Sequence, residues 1–166
     1  MRVYPLYKEG HAGISFLIYS PFMFTFKFTG ADMSYVLMTG ILMAIFSITP
    51  DIDLHFEIKH RGITHTLLFG IVLGAFLGIL LRYAYEPLGL LMGFIAGFGG
   101  TVSHLLGDLL TYSPFKPLYP FSNREVALGL FKASNKVMNA TFFVLGVFTF
   151  LISYQPAIFL NILASI

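Results

Sequence analysis

Histidine and aspartate residues, which can bind a metal ion or move a proton, gather in four short stretches of this 166-residue chain. The stretches are Gly10-His11, Pro50-Asp51-Ile52-Asp53, His60-Arg61-Gly62-Ile63-Thr64-His65 and His104-Leu105-Leu106-Gly107-Asp108. The chain has no cysteine, which excludes a thiolate zinc site. Any metal must therefore be held by imidazole nitrogens and carboxylate oxygens, a donor set that suits Zn, Mn or Fe better than Ca.

His104 and Asp108 have the spacing of neighbours on a helix. Side chains four residues apart project from one side of a helix, so these two can share one ion. The residues around them are leucines, and an unpaired carboxylate in such surroundings is costly unless a cation relieves it. A hydrogen-bonded pair without a metal is the alternative at this position.

The other two clusters belong to turns rather than helix faces. Asp51 and Asp53 alternate just after a proline, in an extended or turning segment where both carboxylates can face inward. His60 and His65 are five residues apart, which is not a helical spacing, but a turn permitted by Gly62 can fold them onto one site. A terminator of the preceding helix is the alternative interpretation of the aspartates.

Seven side chains are candidate ligands, more than the four of a tetrahedral zinc site: His11, Asp51, Asp53, His60, His65, His104 and Asp108. Two divalent ions about 3.5–4 Å apart, bridged by a carboxylate, accommodate this number and activate water against a phosphoester. We expect one or two ions, zinc first with Mn or Fe as alternatives, and Asp51 or Asp53 as bridge or general base. Arg61 and Arg124 are candidates to bind an anionic substrate, since guanidinium matches phosphate geometry.

The composition indicates a membrane protein. Hydrophobic residues make up 57% of the chain and charged residues 11%, with a mean hydropathy of +0.80, which leaves too little polar surface for a water-soluble globule. A net charge of +2 is too small for electrostatic binding of nucleic acid. The chain is thus predicted to be one all-α integral-membrane domain over residues 1–166, with the lipid bilayer and not nucleic acid as its partner.

About five transmembrane helices are predicted, because a span needs about 20 mostly apolar residues. Their approximate ranges are 11–28, 33–49, 64–85, 88–112 and 137–154, with an ordered polar loop over 113–136. With strictly alternating helices, the four stretches rich in histidine and aspartate lie on one membrane face. This joint placement favours a site over separate structural roles, such as a helix cap at His11.

The basic residues predict which face this is. Because cytoplasmic loops are rich in Lys and Arg, we expect the N-terminus and the site to face the cytoplasm, in a polytopic protein of the inner cell membrane. Eight basic residues fall on this side and two on the other: Arg2, Lys8, Lys59, Arg61, Lys116, Arg124, Lys132 and Lys136 against Lys27 and Arg82.

At these motifs the chain resembles the YdjM family, membrane proteins described as LexA-regulated, predicted metal-dependent hydrolases. The resemblance covers residues 10–125 through the four stretches above, the third extended to Thr66 and the fourth to Leu109-Leu110-Thr111, and through Pro117-Leu118-Tyr119-Pro120-Phe121-Ser122 with Arg124. It implies an inner-membrane hydrolase that binds metal through its histidines and aspartates. His55 is a candidate ligand or supporting group by this comparison, and Thr64 and Thr111, within the matching stretches, are candidates to support the ligands.

The order of these histidines and aspartates is also similar to the early part of the zinc-dependent phospholipase C and P1 nuclease pattern. The later lone His and the His-x3-Glu helix of that pattern are missing from this chain.

The leading hypothesis is a metal-dependent phosphoesterase that activates water at the cytoplasmic face. A site at headgroup depth favours a lipid or another amphiphilic small molecule as substrate. The alternative is a metal ion or proton transporter, which usually carries its polar groups near the bilayer midplane. Here the helix middles are apolar and the polar groups lie at one end, which favours the hydrolase.

Overall fold

The computed structural model describes residues 6–54 and 60–155, and these residues are mainly helical. The α-helices are α1 (Lys8–Phe26), α2 (Met33–Phe46), α3 (Leu67–Phe94), α4 (Gly100–Leu109) and α5 (Lys136–Tyr154). A 3-10 turn, Thr49–Leu54, follows α2, another, Ile63–His65, precedes α3, and a π-helical segment, Ile95–Gly99, joins α3 to α4. The predicted all-α fold class is confirmed.

Helix α3 reverses direction near its C-terminal third. Tyr85 and Glu86 have non-helical backbone torsions, and φ of Glu86 is 51°. Pro87 follows at once, and proline is tolerated at the first position of a new helical arm because an amide hydrogen is not needed there. Residues 67–84 and 87–109 therefore form two arms, which we call the glycine hairpin.

The two arms of the glycine hairpin approach each other backbone to backbone. A Cβ atom added at Gly97 would lie 2.7 Å from the amide nitrogen of Gly74, and one added at Gly93 would overlap the backbone of Leu77. Small residues permit so close an approach between helices in lipid, where van der Waals packing drives association. These glycines therefore serve helix packing.

The π-helical segment Ile95–Gly99 sets the direction in which α4 presents its side chains. A π-turn holds about one residue more than an α-turn, so the helix after it is rotated by about 100° relative to an uninterrupted α-helix. Just beyond the segment, a Cβ atom added at Gly100 would lie 2.8 Å from the carbonyl oxygen of Met43. This close contact brings His104, one turn later, beside the end of α2.

Helix α5 packs against α1 and holds its first turn in place. A Cβ atom added at Gly13 or Gly146 would overlap the backbone of the facing helix. The buried side chain of Asn139 accepts a hydrogen bond from the amide of Tyr7 at 2.8 Å and donates to the backbone just before α5 at 2.9 Å. His11, one turn further along α1, is therefore positioned by α5.

The loop between α4 and α5 is ordered by backbone hydrogen bonds. Phe115 and Val126 exchange two of them, at 3.2 and 2.9 Å. The amide of Leu67 donates to the carbonyl oxygen of Pro117 at 2.9 Å. The loop is thereby tied to the start of α3, at the end of the bundle where the histidines lie.

Three segments of the described chain are long and apolar enough to cross a membrane: Met33–Leu54, Leu67–Leu109 and Lys136–Tyr154. The second has 43 residues and contains both arms of the glycine hairpin. Helix α1 is not among these segments. The membrane character of the chain is supported, whereas the predicted number of about five spans is not confirmed.

Candidate metal centre

Six predicted site residues converge in one buried cluster, formed by the start of α1, the turn after α2, the turn before α3 and the end of α4. None is more than 7% exposed: His11, Asp51, Asp53, His65, His104 and Asp108. His60 lies half-buried at the edge, and His55 falls outside the described residues. The convergence expected from alternating helices is present in the structure.

Four ligand atoms of this cluster lie close together and form what we call the central cage: His65 Nε2, His104 Nε2, Asp51 Oδ1 and Asp108 Oδ2. The two nitrogens are 3.1 Å apart. His65 Nε2 is 3.5 and 3.4 Å from the two carboxylate oxygens, and His104 Nε2 is 3.7 Å from each. Ligands ~2.0 Å from a tetrahedral zinc ion lie ~3.3 Å from one another, so these five distances are of the size that such a site requires.

Hydrogen bonds on the far side of both imidazole rings decide which nitrogen faces the cage unprotonated. His104 Nδ1 lies 2.8 Å from the carbonyl oxygen of Ser47 and must donate to it. His65 Nδ1 lies 3.1 Å from the hydroxyl oxygen of Thr64. Because that hydroxyl donates to Asp53 Oδ2 at 2.9 Å, His65 Nδ1 is again the donor. Both neutral rings therefore present an Nε2 lone pair to the cage, as metal-binding histidines do.

The carboxylate oxygens of the cage also lack partners. Asp51 Oδ1 and Asp108 Oδ2 are buried and accept no hydrogen bond from any residue in the described ranges. Two nitrogen lone pairs and two unpaired carboxylate oxygens repel one another, and leaving such groups buried and unsatisfied is costly. A cation satisfies all four atoms at once, so the donor types, their protonation and their spacing fit a divalent metal ion.

The net charge of the cluster also favours a bound cation. Three aspartates contribute three negative charges and Arg61, 8% exposed, contributes one positive charge, which leaves two negative charges. Burial lowers the pKa of His65, but in the ion-free cluster its contacts with Asp51 and Asp53 outweigh burial and raise that pKa, as expected where negative charge is in excess. Because an uncompensated buried charge is strongly unfavourable, one divalent ion is what the cluster needs for neutrality.

Asp53 lies behind the cage and organises the turn before α3. Its Oδ1 atom is 3.0 Å from His60 Nδ1. Its Oδ2 atom accepts hydrogen bonds from the amide of Arg61 at 3.2 Å and from the hydroxyl of Thr64 at 2.9 Å. Both oxygens are thus engaged by the chain itself, whereas Asp51 and Asp108 each keep an oxygen that has no partner among the described residues.

His11 stands beside the cage with both ring nitrogens unpartnered among the described residues. Its ring stacks on that of His104, with 3.7 Å between centroids and 11° between planes. His11 Nε2 lies 3.8 Å from Asp51 Oδ2 and 4.0 Å from Asp108 Oδ1. Each of these carboxylates therefore presents one oxygen to the cage and the other toward His11, and Asp108 Oδ1 also accepts a hydrogen bond from Arg61 Nη2.

Arg61 is held against the cluster in a left-handed backbone conformation, with φ of 61°. Its Nη2 atom donates to Asp108 Oδ1 at 2.8 Å and to the Thr111 hydroxyl at 3.3 Å. Its Nη1 atom donates to the carbonyl oxygen of Ser113. The buried Nε atom has no partner within the described residues.

The structure does not bring Arg124 into this cluster. Its side chain is exposed, and its backbone amide donates to the hydroxyl of Ser122 at 3.3 Å. A different basic residue, Lys116, shares a polar pocket of about 430 Å³ with His60 and Arg61. The position of Lys116 in the sequence does not mark it as a site residue, because only the fold of the loop between α4 and α5 brings it to this pocket.

The carbonyl group of Ser47 is the second functional group that sequence reasoning missed. It accepts the hydrogen bond that fixes His104. The signal available was the predicted end of the second helix, because the last carbonyl groups of a helix have no partner within it and accept hydrogen bonds from elsewhere.

Comparison with known proteins gives one match. Residues 7–166, nearly the whole chain and all four stretches, match the family model described as YdjM inner membrane protein. No curated protein and no solved structure gives a significant match. The similarity to phospholipase C and P1 nuclease stays an expectation from the sequence.

Proposed function

The chain belongs to the YdjM family of inner membrane proteins, and we propose that it is a membrane-embedded, metal-dependent phosphoesterase. The observation that carries this proposal is the central cage. Two histidines with their Nε2 lone pairs directed inward face two carboxylate oxygens that accept no hydrogen bond from the described chain. That arrangement is unfavourable without a cation and is ready to bind one.

The cage residues His65, His104, Asp51 and Asp108 would hold the principal ion, and His11 would join Asp51 and Asp108 at a second ion or a water molecule. Zinc suits this set best because it accepts imidazole and carboxylate ligands in tetrahedral geometry, with Mn and Fe as alternatives. A bound ion would supply Lewis acidity and lower the pKa of a water molecule to about 7.

The chain itself supplies the remaining groups that a phosphoester needs. The free Nε donor of Arg61 would bind a phosphate oxygen, since guanidinium matches phosphate geometry. His60 Nε2 is buried and unpartnered among described residues, so it can exchange a proton with a leaving oxygen. Asp53 is a positioning residue in this proposal, because it orients His60 and, through Thr64, His65.

We also propose that the membrane topology has five crossings, with the N-terminus and the metal centre on the cytoplasmic side. The 43-residue segment would cross twice, once with each arm of the glycine hairpin. Helix α1 would cross beside α5, against which it packs closely. The excess of basic residues on the side of the metal centre supports this orientation.

Metal content and hydrolysis test this proposal on the purified full chain. We expect one to two zinc ions per chain by elemental analysis, raised thermal stability with zinc, and turnover of phosphomonoesters or phosphodiesters above acyl esters. His104→Ala should lower metal affinity by more than about 100-fold, since losing a ligand costs more than the ~10–100-fold of losing a supporting hydrogen bond.

The matched control for this experiment is Asp32→Asn. Asp32 caps α2 at the opposite end of that helix by accepting from the amide of Ser34 at 2.8 Å, so its loss should leave metal content unchanged. Wild-type protein that holds no metal and gains no stability from zinc or manganese would refute the proposal. Ion flux in liposomes without hydrolysis would favour a transporter instead.

A further inference from the structure

A large apolar cavity opens beside the metal centre, between the start of α1 and the end of α2. Its volume is about 690 Å³, within the ~300–1,000 Å³ typical of ligand pockets. Its walls include Leu6 from the N-terminal segment and four apolar residues from the end of α2 and the following turn, namely Ile45, Ile48, Ile52 and Leu54. We call it the apolar cavity.

Asp51 connects this cavity to the central cage. It belongs to the cavity wall, and its Oδ1 atom is one of the four cage atoms, 3.5 Å from His65 Nε2. The polar pocket, which contains His60, Arg61 and Lys116, reaches the same cluster from another direction. A molecule bound at the metal centre therefore has an apolar compartment on one side. On the other side is a pocket with polar walls, where Lys116 lies 3.8 Å from the carboxylate of Glu125 and Arg61 is the remaining cation.

The wall of the apolar cavity is partly exposed along an apolar segment that is a candidate membrane span. Three of its wall residues are substantially exposed, Ile45 at 56%, Ile52 at 45% and Leu54 at 43%. All three belong to Met33–Leu54, one of the three segments apolar enough to cross a membrane. In the proposed five-span topology this segment lies in the bilayer, so lipid acyl chains would reach the cavity without passing through water.

The charged residues of the cavity wall do not select an anion. Lys8, Glu9 and Asp51 contribute to it, so the wall carries a formal charge of −1. A phosphate group is better accommodated by the metal centre and by the free donor of Arg61. The cavity therefore suits an uncharged, apolar part of a substrate whose phosphate lies at the cluster.

We propose that the substrate is a membrane lipid with a phosphoester bond, bound with an acyl chain in the apolar cavity and its phosphate at the central cage. This inference rests on the proposed function and names its substrate class. In the reaction, a water oxygen forms a bond to phosphorus and the bond from phosphorus to the lipid oxygen breaks. The leaving oxygen takes up a proton, and the phosphate product leaves through the polar pocket.

Photo-cross-linking in vesicles tests the location of the lipid acyl chain. Full-length protein is reconstituted in dioleoylphosphatidylcholine with a small fraction of a phosphomonoester lipid that carries a diazirine on one acyl chain. We expect labelled peptides to come mainly from the cavity wall around Ile45 and Ile52. Ile45→Trp should lower this labelling at least about fivefold, because the larger side chain fills space that the acyl chain needs.

The matched control is Ile41→Trp, one turn earlier on the same face of α2. Ile41 is 41% exposed and is not part of the cavity wall, so its substitution should leave the labelling unchanged. Ile45→Trp should also reduce turnover of the long-chain lipid while sparing para-nitrophenyl phosphate and metal content. A short phosphoester has no chain to place in the cavity.

Two results would overturn this inference. One is labelling spread evenly over exposed apolar residues such as Phe76 and Ile79, which are 62% and 57% exposed on the first arm of the glycine hairpin. The other is equal loss of short-chain and long-chain turnover in Ile45→Trp with labelling intact. Cavity labelling of a protein that binds no metal would instead refute the phosphoesterase while supporting the lipid site.

Discussion

The glycine hairpin and the metal centre bury their residues in opposite ways. In the hairpin, glycines such as Gly93 and Gly97 remove side chains, so that backbones meet and little polar surface has to be satisfied. In the metal centre, the chain buries carboxylates, imidazoles and a guanidinium, and leaves several of their atoms without partners. The packing of the first region needs no ligand, whereas the second, in the proposed function, becomes favourable once an ion is bound.

The two regions are continuous, which explains how the second can exist. The second arm of the hairpin leads through Ile95–Gly99 into α4, and α4 carries His104 and Asp108. Packing in the apolar part therefore fixes two ligands in advance, before any ion enters. Preorganisation of this kind separates the residues that determine stability from those that determine metal affinity, and substitutions can test that separation.

Among the substitutions that compare these two regions, Asp53→Asn should have the largest effect, and it should weaken the metal centre without removing a cage atom. The amide retains the shape of the side chain but accepts less strongly from Thr64 and His60, so His65 and His60 lose their orientation. Metal affinity should fall by about 10–100-fold, as for other groups that hold metal ligands in place. Isothermal titration of metal-stripped protein with zinc measures this change.

Wild-type zinc affinity in Asp53→Asn would contradict the proposed contrast between the glycine hairpin and the metal centre. Unchanged affinity would mean that the hydrogen bonds behind the cage do not orient its ligands. The thermal stability of the metal-free variant provides the control, and we expect it to stay close to that of metal-free wild type, since the hairpin is untouched.

Gly93→Ala should have the converse effect, reduced stability with metal binding retained. The added methyl group would overlap the backbone of Leu77, so the arms must separate, at a cost of about 1–3 kcal/mol in the free energy of unfolding. Unfolding in mild detergent, followed by circular dichroism, measures the change.

The control for this substitution is Gly99→Ala. An added Cβ atom there meets only the flexible side chain of Met43, with the nearest atom, Sδ, at 3.1 Å, and the loss of stability should be smaller. Gly93→Ala protein that folds normally but loses its zinc would show that the hairpin and the metal centre are not separable.

Arg124→Ala should have the smallest effect of all. Its side chain is exposed and lies outside the buried cluster, so metal affinity and the turnover of a soluble phosphoester should both stay within about twofold of wild type, as for most surface substitutions. A large rise in KM would restore the sequence-based expectation that Arg124 binds the substrate anion.

The sequence was sufficient to predict the convergence of the site, because alternating apolar segments place His11, Asp51, His65 and His104 at one end of the bundle whatever the details of their packing. The location of the break near Tyr85 and Pro87 was also predictable, since proline begins helices more readily than it continues them.

The sequence could not predict which aspartate faces the cage and which lies behind it. Asp51 and Asp53 are two residues apart and chemically identical, and only the turn after α2 decides that Asp51 faces the cage while Asp53 faces His60 and Thr64. That turn depends on long-range contacts, including the hydrogen bond from the amide of Arg61 to Asp53 Oδ2. Arg61 makes this contact in a left-handed backbone conformation, which is uncommon for a residue other than glycine. Spacing alone therefore could not separate ligand from support.

The π-helical segment Ile95–Gly99 has a consequence for the history of the family. A π-turn accommodates one inserted residue in an α-helix without disturbing the helix on either side. Deletion of one residue here would restore a regular helix and turn α4 by about 100°, so that His104 and Asp108 would leave the cage. Relatives that share the metal centre should therefore keep the length of this segment, and an alignment gap within it would mark a lineage that had lost the ion.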